Sequence, residues 1–95
     1  MPTYITLLNF TDQGIKTIKD SPERLQGIKS MAEKMGVKIK DVYYTTGAHD
    51  VVTVTEGPEE AATAVLLKIG SAGNVRTQTM RAFSPEEFKK IVSTM

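Results

Sequence analysis

Apolar residues recur at every second position in four short runs of this chain, and at every third or fourth position in the segments between them. Thr3 to Asn9 reads as a strand, with Ile5 and Leu7 on one face and Tyr4, Thr6, Leu8 and Phe10 on the other. Thr11 to Asp20 is polar, with Gly14 and isolated Ile15 and Ile18, and reads as a helical turn or ordered loop. Ser21-Pro22 then opens a helix, the serine capping and the proline taking the first helical position. Leu25, Ile28, Met31, Ala32 and Met35 give that helix one apolar stripe, and Gly36 ends it. Gly27 inside it costs about 1 kcal/mol relative to alanine unless close packing needs the missing side chain.

Val37 to Thr46 is a second strand, alternating cleanly at first, with Tyr43 and Tyr44 projecting to opposite faces. Val51 to Glu56 is the third, with valines on both faces. Between them lies a short loop with Gly47 and the only histidine, His49, a hairpin signal. Gly57-Pro58-Glu59-Glu60 starts a second helix with a wide apolar surface from Ala61 to Ile69, expected to be the more deeply buried of the two. Gly70 to Asn74 stops it, and Val75 to Phe83 forms a fourth strand. Ser84 and Glu87 have the spacing of a capping box, after which Phe88, Ile91, Val92 and Met95 predict a short C-terminal helix packed by one edge.

The order is β-α-β-β-α-β plus a terminal helix, an α+β, ferredoxin-like arrangement in one domain spanning residues 1–95. Right-handed crossovers place both main helices on one face of a four-stranded antiparallel sheet. Tyr4, Thr6 and Leu8 are assigned to the opposite, open face. A contiguous patch of that kind is too apolar to face water, which favours homodimerisation sheet to sheet, the two open faces enclosing a barrel-like core. The plainer alternative is a partly exposed sheet that the C-terminal helix helps to cover.

Bulk properties remove several functions. The chain has 95 residues, 40% hydrophobic and 24% charged, an ordinary globular mixture. A formal net charge of +1 gives no electrostatic case for nucleic acid or an anionic membrane, and the aromatic signature of an RNA-binding sheet is missing. There is no cysteine, so disulfides and thiolate chemistry are excluded. The N-terminus has no signal-peptide pattern and no apolar run suits a bilayer, so a cytoplasmic location is expected.

His49 and Asp50 are the candidate catalytic residues, as an acid–base pair, but neighbours in a strand point to opposite faces and do not form a direct dyad. Asp50 also has the plainer role of fixing the turn through backbone N–H groups, and Gly47 that of adopting a positive φ. One histidine without cysteine does not make a zinc site, and no calcium-loop spacing occurs, so no metal and no cofactor are expected. Tyr4, Thr6, Tyr44, His49 and Arg81 are the candidate ligand-binding residues. As core, interface or ion-pairing groups they are explained equally well.

The segments YITLLNFTDQGIKTIKDSPER, GAHDVV and GNVRTQTMRAFSPEEF resemble the GYD-domain family of small, largely uncharacterised prokaryotic proteins, over nearly the whole chain. The family's Gly–Tyr–Asp signature falls on Gly47 to Asp50, where His49 stands in place of tyrosine. The resemblance implies a ferredoxin-like fold with dimeric α/β-barrel association and no established activity. Three functions follow as expectations. The first is a homo-oligomeric small-molecule-binding or regulatory module, with its site at the open sheet face or the subunit interface. The second is a small cofactor-independent enzyme, isomerase- or monooxygenase-like, with His49 or Asp50 facing a pocket. The third is a structural assembly protein.

Overall fold

The computed structural model describes all 95 residues. The alternating runs form four strands, β1 (Thr3–Phe10), β2 (Lys38–Tyr44), β3 (Val51–Glu56) and β4 (Val75–Ala82). Between them lie α1 (Asp12–Lys16), a 3-10 turn (Ile18–Asp20), α2 (Ser21–Lys34) and α3 (Glu59–Ser71), with α4 (Pro85–Val92) at the end. The sheet order is β2-β3-β1-β4, every neighbouring pair antiparallel. This is the expected ferredoxin-like topology, with α2 and α3 on one face. No helix is long and apolar enough to cross a membrane.

The face assignment of β1 is the reverse of the expected one. Tyr4, Thr6 and Leu8 are 9%, 2% and 7% exposed, and they lie beneath the helices. Tyr4 packs with Ala32, Val37, Ala62 and Val65, and Leu8 with Val51 and Val75. Ile5 and Leu7 therefore belong to the open face. Both faces of β1 are apolar, so period-two alternation separates them without saying which is inside.

β2 departs from simple alternation through a bulge at Lys40, where the register with β3 shifts between Ile39 and Asp41. Ile39 faces Thr55 and Val42 faces Thr53, so two residues three apart share the helix side. Lys40 Nζ reaches Glu56 Oε1 at 2.7 Å. That hydrogen bond, with the attraction between the two charges, raises the Lys40 ammonium above its ordinary pKa. The same hydrogen bond holds the Glu56 carboxyl below its own.

Thr11 caps α1: its Oγ1 accepts the Gly14 N–H at 3.1 Å and donates to the Gly73 carbonyl at 2.6 Å. Gly14 is buried, and a Cβ there would lie 1.9 Å from the Asn74 carbonyl oxygen. That same oxygen accepts the Thr11 N–H at 3.0 Å, so the α1 turn and the start of β4 are locked together. Ser21 does not cap α2 as expected. The 3-10 turn runs directly into the helix, which makes Ser21 its first residue and leaves its N–H bonded to the Ile18 carbonyl. Gly36, at φ +84°, ends α2 as expected. Each main helix has two buried residues, Ser21 and Ala32 in α2 and Ala62 and Val65 in α3, and only in α3 are both apolar.

The Ser84–Glu87 capping box forms at both of its bonds. The Ser84 N–H donates to Glu87 Oε1 at 2.9 Å and holds that carboxyl below its ordinary pKa. Yet α4 has no buried residue, and Phe88 and Val92 are about half exposed. The edge packing expected for this helix is absent within one chain.

Candidate functional site: a cavity under the helices

The sheet face under α2 and α3 is unusual for a core because its centre is polar and short. Thr6 sits opposite Thr53 on β3 and Thr79 on β4, giving a row of three threonines across three strands. The Thr6 and Thr79 Oγ1 atoms are 2.8 Å apart, which satisfies both hydroxyls across β1 and β4. Thr55 is paired with Tyr4 in the next row. In β3 the threonines face the helices and Val52 and Val54 face away, the opposite of what burial of the larger apolar side chains favours.

The helices do not fill the space that these threonines leave. α3 offers Ala62 and Val65 to the sheet, and at Gly27 of α2 an added Cβ would have no neighbour within 4 Å. No large side chain is fully buried. A cavity of about 330 Å³ results, floored by Thr6, Leu8, Thr53 and Thr55 and roofed by Leu25, Ile28, Met31 and Leu66. Cavities of roughly 300 Å³ and more with apolar walls and a few polar groups are the usual form of small-ligand sites.

The charged groups of the lining have one sign. Arg24 and Lys68 are its charged residues, and no aspartate or glutamate is among the lining side chains. Because β1 and β3 are antiparallel, α2 and α3 run in opposite directions and the first turns of α2 lie beside the end of α3. Arg24 and Lys68 therefore stand at the same end. Ser21, Tyr44 and Asn74 belong to that end too, and the Ser21 Oγ and Tyr44 hydroxyl are 2.9 Å apart. Arg24 donates through Nη1 to the Thr17 carbonyl and Oγ1, both at 3.0 Å. It has no carboxylate partner, since the ion pairs of the chain are Lys40–Glu56 and Arg81–Glu87.

Among the residues singled out from the sequence, the structure brings Tyr4, Thr6 and Tyr44 together in the cavity lining and places His49, Asp50 and Arg81 outside it. The His49 Nδ1 is 2.9 Å from Asn9 Oδ1, whose amide nitrogen donates to the Ala48 carbonyl at 2.8 Å. Asp50 Oδ2 accepts the Phe10 N–H at 2.8 Å, and its own N–H donates to the Leu8 carbonyl at 2.9 Å. These bonds tie the loop to the end of β1, with Gly47 at φ +119°. Arg81 stacks over Phe83, 4.4 Å from the ring centre, and donates to the Thr3 and Ala82 carbonyls. Sequence reasoning missed Ser21, Arg24, Thr53 and Lys68. The available signal was the alternation of Val and Thr in VVTVTE, which with the opposite choice of face gives a threonine floor.

The open face carries a second feature. Ile5 pairs with Val54 and Met80, and Leu7 with Val52, with Tyr43 beside Val52. Tyr43 and Met80 are 64% and 45% exposed, so this apolar surface stands in water in a single chain.

A four-stranded ferredoxin-like sheet with a cavity under its two helices defines a small ferredoxin-like α+β domain. The chain belongs to the GYD-domain family, whose model matches residues 4–92. It is 36% identical over 84 residues to the glutamine synthetase and cystathionine beta-lyase binding protein of Thermus thermophilus, an alignment covering 86% of this chain and 88% of that one. Among solved structures it is similar to a feast or famine regulatory protein from M. tuberculosis complexed with L-methionine, with a TM-score of 0.65 and 19% identity. That match covers 88% of this chain, which spans about half, 51%, of the regulator. It is also similar to the structure of FFRP-DM1, with a TM-score of 0.62 and 20% identity, covering 87% of this chain and 100% of that one. At these identities the structural likeness is one of fold.

Proposed function

We propose that the protein is a homo-oligomeric, small-molecule-binding regulatory module, with its ligand in the cavity under α2 and α3 and its subunit contact on the open sheet face. The cavity carries this reading: about 330 Å³ of largely apolar space over a threonine floor, with its two charged residues, Arg24 and Lys68, toward one end. The relative from Thermus thermophilus is described as a binding protein for two enzymes, and a regulator of related fold is described in complex with L-methionine. Both descriptions support a binding or regulatory role. An enzymatic reading needs His49 or Asp50 at the pocket, and both are engaged in loop bonds outside it.

The test is calorimetric titration with octan-1-ol, a neutral apolar ligand, on the wild-type chain and on Ala62→Leu, which fills the cavity from α3. Binding by the wild type and weakening of at least about tenfold in Ala62→Leu, with an unchanged circular dichroism spectrum, is the expected result. No binding to the wild type, or equal binding to the filled variant, would overturn the assignment of the site.

A further inference from the structure

We infer that the ligand of this cavity is a small amphipathic monocarboxylate, its apolar tail lying over the threonine floor and its carboxylate held between Arg24 and Lys68. The inference rests on the reading of the cavity as a small-molecule site and adds the chemical class of the molecule.

Three observations carry it. The walls are apolar along most of their length, so the body of the ligand is apolar. Both charged residues of the lining are cations, and the antiparallel course of α2 and α3 puts them at one end, so the polar head is an anion. Arg24 is half-buried and has no carboxylate partner. Thr17 engages its Nη1, while Nη2 has one long contact, 3.5 Å to the Gly14 carbonyl, and Nε has no partner. The Nε–Nη2 edge is the edge that takes a carboxylate through two parallel hydrogen bonds. The oxygens that Arg24 meets are all neutral, so an anionic ligand supplies the counter-charge that the fold does not. An ammonium-bearing ligand meets two like charges at the same place and is disfavoured.

The experiment compares octanoate, octan-1-ol and octylammonium by calorimetric titration at neutral pH into the full chain and into Arg24→Gln and Lys68→Gln. Octanoate is expected to bind about tenfold more tightly than octan-1-ol, with octylammonium weakest. Lengthening the carboxylate by one methylene is expected to tighten binding by about fourfold until the cavity is full. Each variant is expected to remove most of the preference for octanoate over octan-1-ol. Lys68 makes no side-chain bond in the fold, so Lys68→Gln reads the charge even where Arg24→Gln loosens the α1 turn. Equal affinity for octanoate and octan-1-ol in the wild type, or an unchanged preference in Lys68→Gln, would overturn the carboxylate while leaving a small-molecule site. Failure of all three compounds to bind would overturn the small-molecule reading itself.

Discussion

The Tyr44 hydroxyl lies 2.9 Å from the Ser21 Oγ and joins the end of β2 to the first turn of α2. Ser21 is buried and Tyr44 is half exposed, so the bond holds one end of the helix layer over the sheet. Tyr44→Phe leaves the serine hydroxyl without its partner. The expected loss is about 1 kcal/mol, read from the urea midpoint at unchanged slope. A midpoint equal to the wild type would show that this bond does not anchor α2.

Two glycine substitutions are expected to have opposite signs. Gly14→Ala drives a methyl into the Asn74 carbonyl, which also receives the Thr11 N–H. A loss of about 2 kcal/mol is expected, in the range of overpacking a tight site. Gly27→Ala meets nothing within 4 Å and gains helix propensity, so a stabilisation of about 0.5–1 kcal/mol is expected. Thermal and urea unfolding of both variants check the pair.

The open sheet face gives a prediction about assembly. Val52 lies at its centre, opposite Leu7 on β1 and Tyr43 on β2. The wild type is expected to sediment as an oligomer at micromolar concentration, and Val52→Asp, which places a charge in the proposed subunit contact, is expected to yield monomer. Leu67→Asp, on the exposed side of α3, is the control and is expected to leave the oligomer intact.

The capping box of α4 gives a pH dependence with a definite sign. The Glu87 carboxyl is held below its ordinary pKa, first by the Ser84 N–H. Its contribution is therefore complete above the ordinary carboxylate value and is lost as pH falls through the lower, folded value. In an NMR titration the Ser84 amide resonance is expected to move with a midpoint below that of an ordinary glutamate. In Glu87→Gln this titration is expected to vanish.

The order of strands and helices was legible from the chain because each element follows a single period, and the capping box at Ser84 is a local signal that needs no tertiary context. The orientation of β1 was not, since Ile5 and Leu7 are as apolar as Tyr4 and Leu8 and only the position of the helices decides between them. Ser21 has the pattern of a cap because Ser-Pro is a good helix start, whereas the preceding 3-10 turn already carries it into helical backbone geometry, φ −55° and ψ −44°. The cavity depends on how far α2 and α3 stand from the sheet, a distance that no local pattern encodes. Arg24 and Lys68, 44 positions apart in the chain, come to the same end of the cavity only through the antiparallel course of two helices. His49 stands out in the sequence as the single histidine, and its partner in the fold is Asn9.

The most direct measurement is a methyl-resolved NMR titration with octanoate, because it separates the cavity from the open sheet face in one experiment. Thr6, Val51, Ala62 and Val65 line the cavity, while Val52 and Val54 lie on the other side of the same sheet. Saturable shifts of the methyls of Thr6, Val51, Ala62 and Val65, with those of Val52 and Val54 unmoved, are expected. Shifts confined to Val52 and Val54, or none at any of these residues, would contradict a ligand site under the helices.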